Sequence, residues 1–404
     1  MNARKRWTAA GLLSLSGLML AHFTNDFYSN FVPVFIPKLQ EKFALSHALI
    51  GFLAATYSAT GSFFQLFFGY ISDRVSNWRF VLFGPLITGL FISFVGMAPS
   101  YEAVLGVLVL ASLGTAMFHP QGSATSGRLF KENRGFIVSL FIASGSLGFA
   151  LGPLLMAIFV NARGLEQSPL AILPLAILGI LLWLLQRDLK LGAPVTTQSS
   201  SPTTTKPATG TLKENALPIA ILWGLVVFRH SILLSFQSFF LILMGERGMD
   251  YVTGSLALFA VLMAGFVGGI MGGYASDRWG RWRIATFSLW LGFLATLGFL
   301  VIPGPLSFIS LLIGMGALNA SNPSIVAFAQ EIVPGQSSTA SAIVMGVGWG
   351  VGGLLVSVVG ILADLLQNLE SALFIATLAA LLISVLLTYA GNRVFQKIRT
   401  ASME

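Results

Sequence analysis

Residues 21 to 31 read AHFTNDFYSNF and lie within a run apolar enough to cross a lipid bilayer. His22 and Asp26 are four residues apart, hence on one face of a helix, and Asn25 stands beside that face. An ionised carboxylate at mid-membrane is costly unless it faces protein or a water-filled cavity, so Asp26 is by default a functional residue. Uptake and release of a proton is the chemistry that suits it, with His22 and His119 as further carriers. The plainer alternative is a structural hydrogen bond between helices. A second polar group, Arg229–His230, interrupts another apolar run. Arginine stays charged and presents a planar fork of donors suited to phosphonate, phosphate or carboxylate. A permanent salt bridge to Asp26, or a place nearer the membrane edge, is the competing explanation. His119 precedes Pro120, and a proline inside a helix frees a backbone carbonyl and opens the helix locally. NASNPS at 319–324 repeats the theme with Asn319, Asn322 and Pro323, the alternative being a kink that only shapes packing. Asn25, Arg229, His230, Gln121, Gln237, Asn319 and Asn322 are therefore the candidate substrate-binding residues. Of these, Gln121 and Gln237 are weaker candidates, as are Gln65, Gln330 and Glu331, because amides often serve only to join helices.

The elements that hold these residues follow from composition. The chain has 404 residues, of which 55% are hydrophobic and only 9% charged, against roughly 25% charged in a soluble domain. Twelve apolar runs, each near the roughly 20 residues that span hydrocarbon, occupy about 8–36, 46–71, 80–98, 101–122, 135–160, 168–186, 216–244, 252–275, 283–302, 305–329, 338–363 and 370–390. Their length without alternation makes them helices and excludes a barrel. With the N-terminus in the cytoplasm, eighteen Lys and Arg fall inside. Only Lys38, Lys42, Arg163 and Arg247 fall outside, and Arg229 lies within a span. That asymmetry predicts a multi-pass protein of the cell membrane with both termini cytoplasmic. The net charge of +8 then reports topology and contact with anionic lipid, and no nucleic-acid partner is expected. The basic start RKRW precedes a run too long and too polar for a cleaved signal, with no small-x-small site, and is expected to open the first permanent span.

Ser, Thr and Pro dominate 188–214, which predicts a flexible cytoplasmic linker between bundles at 1–187 and 215–404, six spans in each. GYISDRVSNWR at 69–79 matches GYASDRWGRWR at 273–283 at an offset of 204 residues. The halves are parallel copies. The same offset takes Asp26 to His230.

These paired segments resemble the signature between the second and third helices of the major facilitator superfamily, here Gly69, Asp73 and Arg74, then Gly273, Asp277, Arg278, Gly280 and Arg281. The first copy departs from it at Ser76 and Asn77. HFTND and AMFHPQGSA (116–124) are similar to segments of the fosmidomycin-resistance group of exporters, and GSLGFALGPLL (145–155) partly resembles an antiporter motif. GVGWGVGGLL (346–355) looks like its partner, and close helix packing is the simpler reading of both. The resemblance implies an all-α fold of twelve transmembrane helices in two pseudo-symmetric bundles, working as a monomer. It also implies a proton-coupled antiporter that exports a small anionic compound, such as a fosmidomycin-like phosphonate, by alternating access. Asp26 and Arg229–His230 would face one another across a central cavity. Asp73, Arg74, Asp277 and Arg278 would latch its cytoplasmic side, or merely anchor topology.

Other chemistries find little support. Cysteine is absent, which removes thiol catalysis and disulfides. Four histidines show no paired ligand spacing, so no metal is expected. No phosphate-cradling loop ends in Gly-Lys-Ser or Gly-Lys-Thr, so the chain is expected to be no ATPase or other enzyme, to need no cofactor and to draw on a proton gradient. A carrier of a metabolite or inorganic ion, in either direction, is the nearest alternative. A non-transporting receptor or scaffold is the remote one.

Overall fold

Every apolar run folds as helix, because backbone groups in lipid must find their partners within the segment. The computed structural model of the protein describes residues 9–74, 78–129, 134–186, 211–333 and 336–401. The first half contains α1 (Ala9–Ser29), α2 (Val32–Phe43), α3 (His47–Arg74), α4 (Trp78–Ser93), α5 (Tyr101–Leu129), α6 (Arg134–Arg163) and α7 (Ile172–Gln186). The second contains α8 (Ala216–Glu246), α9 (Tyr251–Trp279), α10 (Arg281–Val301), α11 (Pro305–Ile332), α12 (Ser337–Ser341), α13 (Gly348–Leu366) and α14 (Leu369–Ala401). Among the described residues ten spans are long and apolar enough to cross a membrane on their own. The two that fall short are α1 and α3, and α1 carries the His22–Asn25–Asp26 cluster. Large apolar side chains such as Phe63, Leu173, Phe287 and Leu386 point outward, as lipid requires and water would penalise.

The expected first span at 8–36 is in fact broken. Pro33 has no N–H to donate and its ring crowds the carbonyl one turn back, so α1 ends at Ser29 and α2 starts afresh at Val32. Asn30, in the break, donates to the Phe149 carbonyl of α6 at 2.6 Å and so ties the two helices together. The eleventh span is also interrupted: α12 runs into α13 through a wider π-helical turn, Ala342–Val347. The linker expected at 188–214 lies outside the described residues as far as 210.

By contacts the chain forms two units, Met1–Lys38 with Phe63–Gln198, and Leu39–Ser62 with Ser199–Glu404. In the first, glycines bring α6 onto α1. A methyl group at Gly148 or Gly152 would strike the backbone oxygen of Phe23 or Phe27, and one at Gly145 would strike the His22 ring. In the second, a methyl group at Gly352 would lie 2.6 Å from the Val227 carbonyl oxygen and 3.1 Å from the Cβ of His230, so the glycine lets α13 approach α8. The small residues of the two glycine-rich motifs thus set the helix spacing around the polar clusters.

Candidate functional site

In the first unit α1, α4, α5 and α6 converge on Asp26. Its carboxylate lies 3.2 Å from His22 Nε2 and 3.5 Å from His119 Nε2. Asn25 donates to the same carboxylate at 2.9 Å, and Thr88 of α4 donates to the Asn25 amide oxygen at 3.2 Å. Pro120 belongs to α5, and the histidine before it reaches across to α1. His22 is held from behind: its ring stacks on Phe141 at 4.0 Å, and Nδ1 lies 2.8 Å from the Phe141 carbonyl oxygen.

That last contact decides where a proton must be. A carbonyl only accepts, so Nδ1 of His22 carries the hydrogen. Nε2 then faces Asp26 Oδ2 at 3.2 Å. His22, Asn25, Asp26 and His119 thus form one polar cluster that joins α1 to α5. The ligand atoms of His22, Asp26 and His119 lie within 4.8 Å of one another, close enough to share one small cation. Chain spacing alone, which argued against any such grouping of histidines, did not reveal it.

In the second unit α8, α11 and α13 surround Arg229. The side chain is 2% exposed, one guanidinium NH2 donates to the Asn322 carbonyl oxygen at 2.9 Å, and Nε has no partner. His230 turns towards α13 and stacks on Trp349 at 5.6 Å, with ring planes 17° apart. Asn319 donates to the Met315 carbonyl of its own helix, and Gln237 lies about two turns further along α8. Gln121 is buried in the first unit, where it accepts from Ser72 at 2.6 Å and donates to Thr125. It joins α3 to α5 and is spent on that bond.

The structure also refines the repeat. An offset of 203 residues takes Asp26 to Arg229 and His119 to Asn322, and both pairs are in contact. The halves thus place an acid–histidine pair and an arginine–amide pair at equivalent positions. The offset of 204 that leads from Asp26 to His230 holds at the signature segments but is one residue too long here.

At the end of α9, Asp277 forms an ion pair with Arg281, which also bonds Glu331 at 3.1 Å and Ser276 at 2.8 Å. Arg278 instead lies over the Tyr274 ring at 4.6 Å. Arg281, the partner that the adjacent Asp-Arg dipeptide obscured, is the hub. The side chains of Asp73 and Arg74, at the end of α3, lie outside the described residues.

The profile of the Major Facilitator Superfamily matches residues 18–357. The chain belongs to that superfamily. It is accordingly a secondary transporter and a multi-pass membrane protein. The chain is 27% identical over 366 residues to the fosmidomycin resistance protein of Escherichia coli (strain K12), covering 89% of this chain and 88% of that one. It is 26% identical to an uncharacterised MFS-type transporter, YfnC, of Bacillus subtilis (strain 168), over 85% of each. Among solved structures it resembles a bacterial homologue of the human lysosomal transporter Spinster in an inward-facing, occupied conformation. There the TM-score is 0.74 at 16% identity, over 95% of this chain and 97% of that one. A mutant of the nucleoside transporter NupG gives a TM-score of 0.72 at 17% identity, over 95% of this chain and 100% of that one. At such identities these structures speak for the major facilitator fold alone.

Within this superfamily member, sequence reasoning singled out His22, Asp26, His119 and Arg229 but not the groups that pack against them. Phe141 and Thr88 carry no local signal, since an apolar ring or a lone threonine is ordinary in a span. Trp349 had one: it is the single large residue among the glycines of GVGWGVGGLL.

Proposed function

We propose that the protein is a proton-driven antiporter that exports a small organic anion with a phosphonate-like head, across the inner membrane, as a monomer and without a cofactor. The observation that carries this reading is Arg229, a buried cation whose guanidinium, among the described residues, meets one amide oxygen and leaves Nε without a partner. A permanent cation so placed calls for an anion, and its planar fork fits the oxygens of a phosphonate or carboxylate. The fosmidomycin resistance protein, to which this chain is similar over most of its length, supports the same substrate class.

A proton taken up and released at Asp26, with His22 and His119 as further carriers, supplies the coupling. Its departure leaves a charge within the cluster that joins α1 to α5 and α6, which favours a different packing of those helices. Its return restores the first. Alternation between two such arrangements is what a proton gradient needs in order to drive a carrier.

The test uses purified protein for binding and everted membrane vesicles for pH-driven uptake of fosmidomycin. Asp26→Asn keeps the side-chain shape and should abolish accumulation while binding persists. Arg229→Ala should lose binding by about 2–5 kcal/mol. An Asp26→Asn carrier that still concentrates fosmidomycin under a pH gradient would show that the proton travels elsewhere.

A further inference from the structure

Arg229 is not the only donor left open in the second unit. The indole Nε1 atoms of Trp223 and Trp349 are buried and also make no hydrogen bond, and indole N–H can only donate. Buried donors nearly always have partners, so these three, unpartnered among the described residues, need a reason. Trp223 and His230 are seven residues apart on α8, which places them on one face of the helix. That face meets α13. Gly348 sits where a methyl group would lie 3.6 Å from Trp223 Cδ1, and the next residue, Trp349, stacks on His230. The two indoles therefore flank the same stretch of the α8–α13 seam, one residue round from Arg229. The π-helical turn Ala342–Val347 runs directly into this stretch, and such turns recur at functional sites because they re-aim the side chains beside them.

The acidic residues of these three helices, Glu246, Glu331 and Asp364, all lie at helix ends. The stretches 217–244, 305–330 and 348–363 contain no Asp or Glu. The complement of such a surface is a ligand rich in acceptor oxygens.

Resting on the anion reading above, we propose that Trp223 and Trp349 form a second substrate subsite. Their indole N–H groups take acceptor oxygens at the far end of a compound whose oxyanion head is held by Arg229. The substrate class narrows accordingly to short bifunctional compounds, with a phosphonate or carboxylate at one end and a second oxygen-bearing group at the other. A lone inorganic anion could not engage both subsites.

Two probes separate the subsites: 3-phosphonopropionate carries a head and a second acceptor group, whereas propylphosphonate has a methyl in place of that group. Trp223→Phe and Trp349→Phe keep an aromatic ring in the seam and remove only the N–H. Calorimetric titration of the purified full-length carrier should show each variant binding 3-phosphonopropionate roughly 5- to 10-fold more weakly, about one hydrogen bond. Propylphosphonate affinity should be unchanged, and Arg229→Ala should lose both probes. Equal weakening for both probes would mean that the indoles only shape the fold, and wild-type affinity in both variants would mean that they do not touch the ligand. Either result overturns the subsite while Arg229→Ala still vindicates the head site. If wild-type protein binds neither probe, or Arg229→Ala binds both, the anion reading itself fails and the subsite with it.

Discussion

Gly145 is a place where the coupling cluster can be disturbed without touching a polar residue. A methyl group there would overlap the Nε2, Cε1 and Cδ2 atoms of His22. Alanine suits the helix, so the whole penalty is local: the imidazole must swing off the Phe141 carbonyl and away from Asp26, or α6 must retreat from α1. Overpacking of this kind costs about 1–3 kcal/mol, and a hydrogen bond to a charged group contributes about 1.5–3 kcal/mol. Even the lower figure of about 1.5 kcal/mol biases the proton-bound arrangement by roughly tenfold. Gly145→Ala should therefore lower pH-driven uptake in everted vesicles by about tenfold or more. Fosmidomycin binding to the purified protein should stay near wild type, because Arg229 belongs to the other unit. Gly148→Ala and Gly152→Ala are the controls, since they drive a methyl into the backbone oxygens of Phe23 and Phe27, which cannot rotate aside. They should depress the melting temperature and every activity together. A Gly145→Ala protein with wild-type uptake at all pH gradients and a wild-type melting temperature would refute the claim that His22 is held in place by this glycine and shares the coupled proton.

Three further outcomes follow from the ends of the helices. Asp364 of α13 accepts from the backbone N–H groups of His47 and Ala48, each at 2.9 Å, and so caps α3. Asp364→Ala should cost about 1–2 kcal/mol by thermal or denaturant melting, and an unchanged melt would show that the cap contributes nothing. Arg281→Ala removes the partner of both Asp277 and Glu331 at an exposed site, so stability should change by under about 1 kcal/mol while turnover slows and substrate affinity holds. Wild-type turnover would leave these residues only a structural role. Asp250 caps α9 by accepting from the backbone N–H groups of Val252 and Thr253 at 3.1 and 3.0 Å, and the Thr253 hydroxyl, followed by these N–H groups, holds its carboxyl below the usual range. Its stabilisation is present above the unfolded-state pKa and lost as pH falls through the lower folded-state value, so Asp250→Asn should flatten the acid limb of stability against pH. An acid limb identical in both proteins would exclude the cap as its source.

How much of this was legible in the sequence varies with the range of the force involved. Spans could be read because a bilayer acts locally, demanding about 20 apolar residues whatever else the chain does. The two copies of the signature segment gave away the repeat for a similar reason, since each is a short contiguous string. His22 and Asp26 could be joined because a helix fixes the geometry of residues four apart. His119 reaches the same carboxylate from α5, and the Phe141 carbonyl of α6 holds the far side of the His22 ring. No periodicity encodes which helix packs on which. The same limit hid the Pro33 break inside an apparently continuous run and made a 204-residue offset seem exact where 203 relates the contacting pairs. It also hid Asn322, the amide on α11 that accepts from Arg229. What a chain does within one helical turn follows from its own residues; what it does across a bundle depends on packing distances that only the assembled helices set.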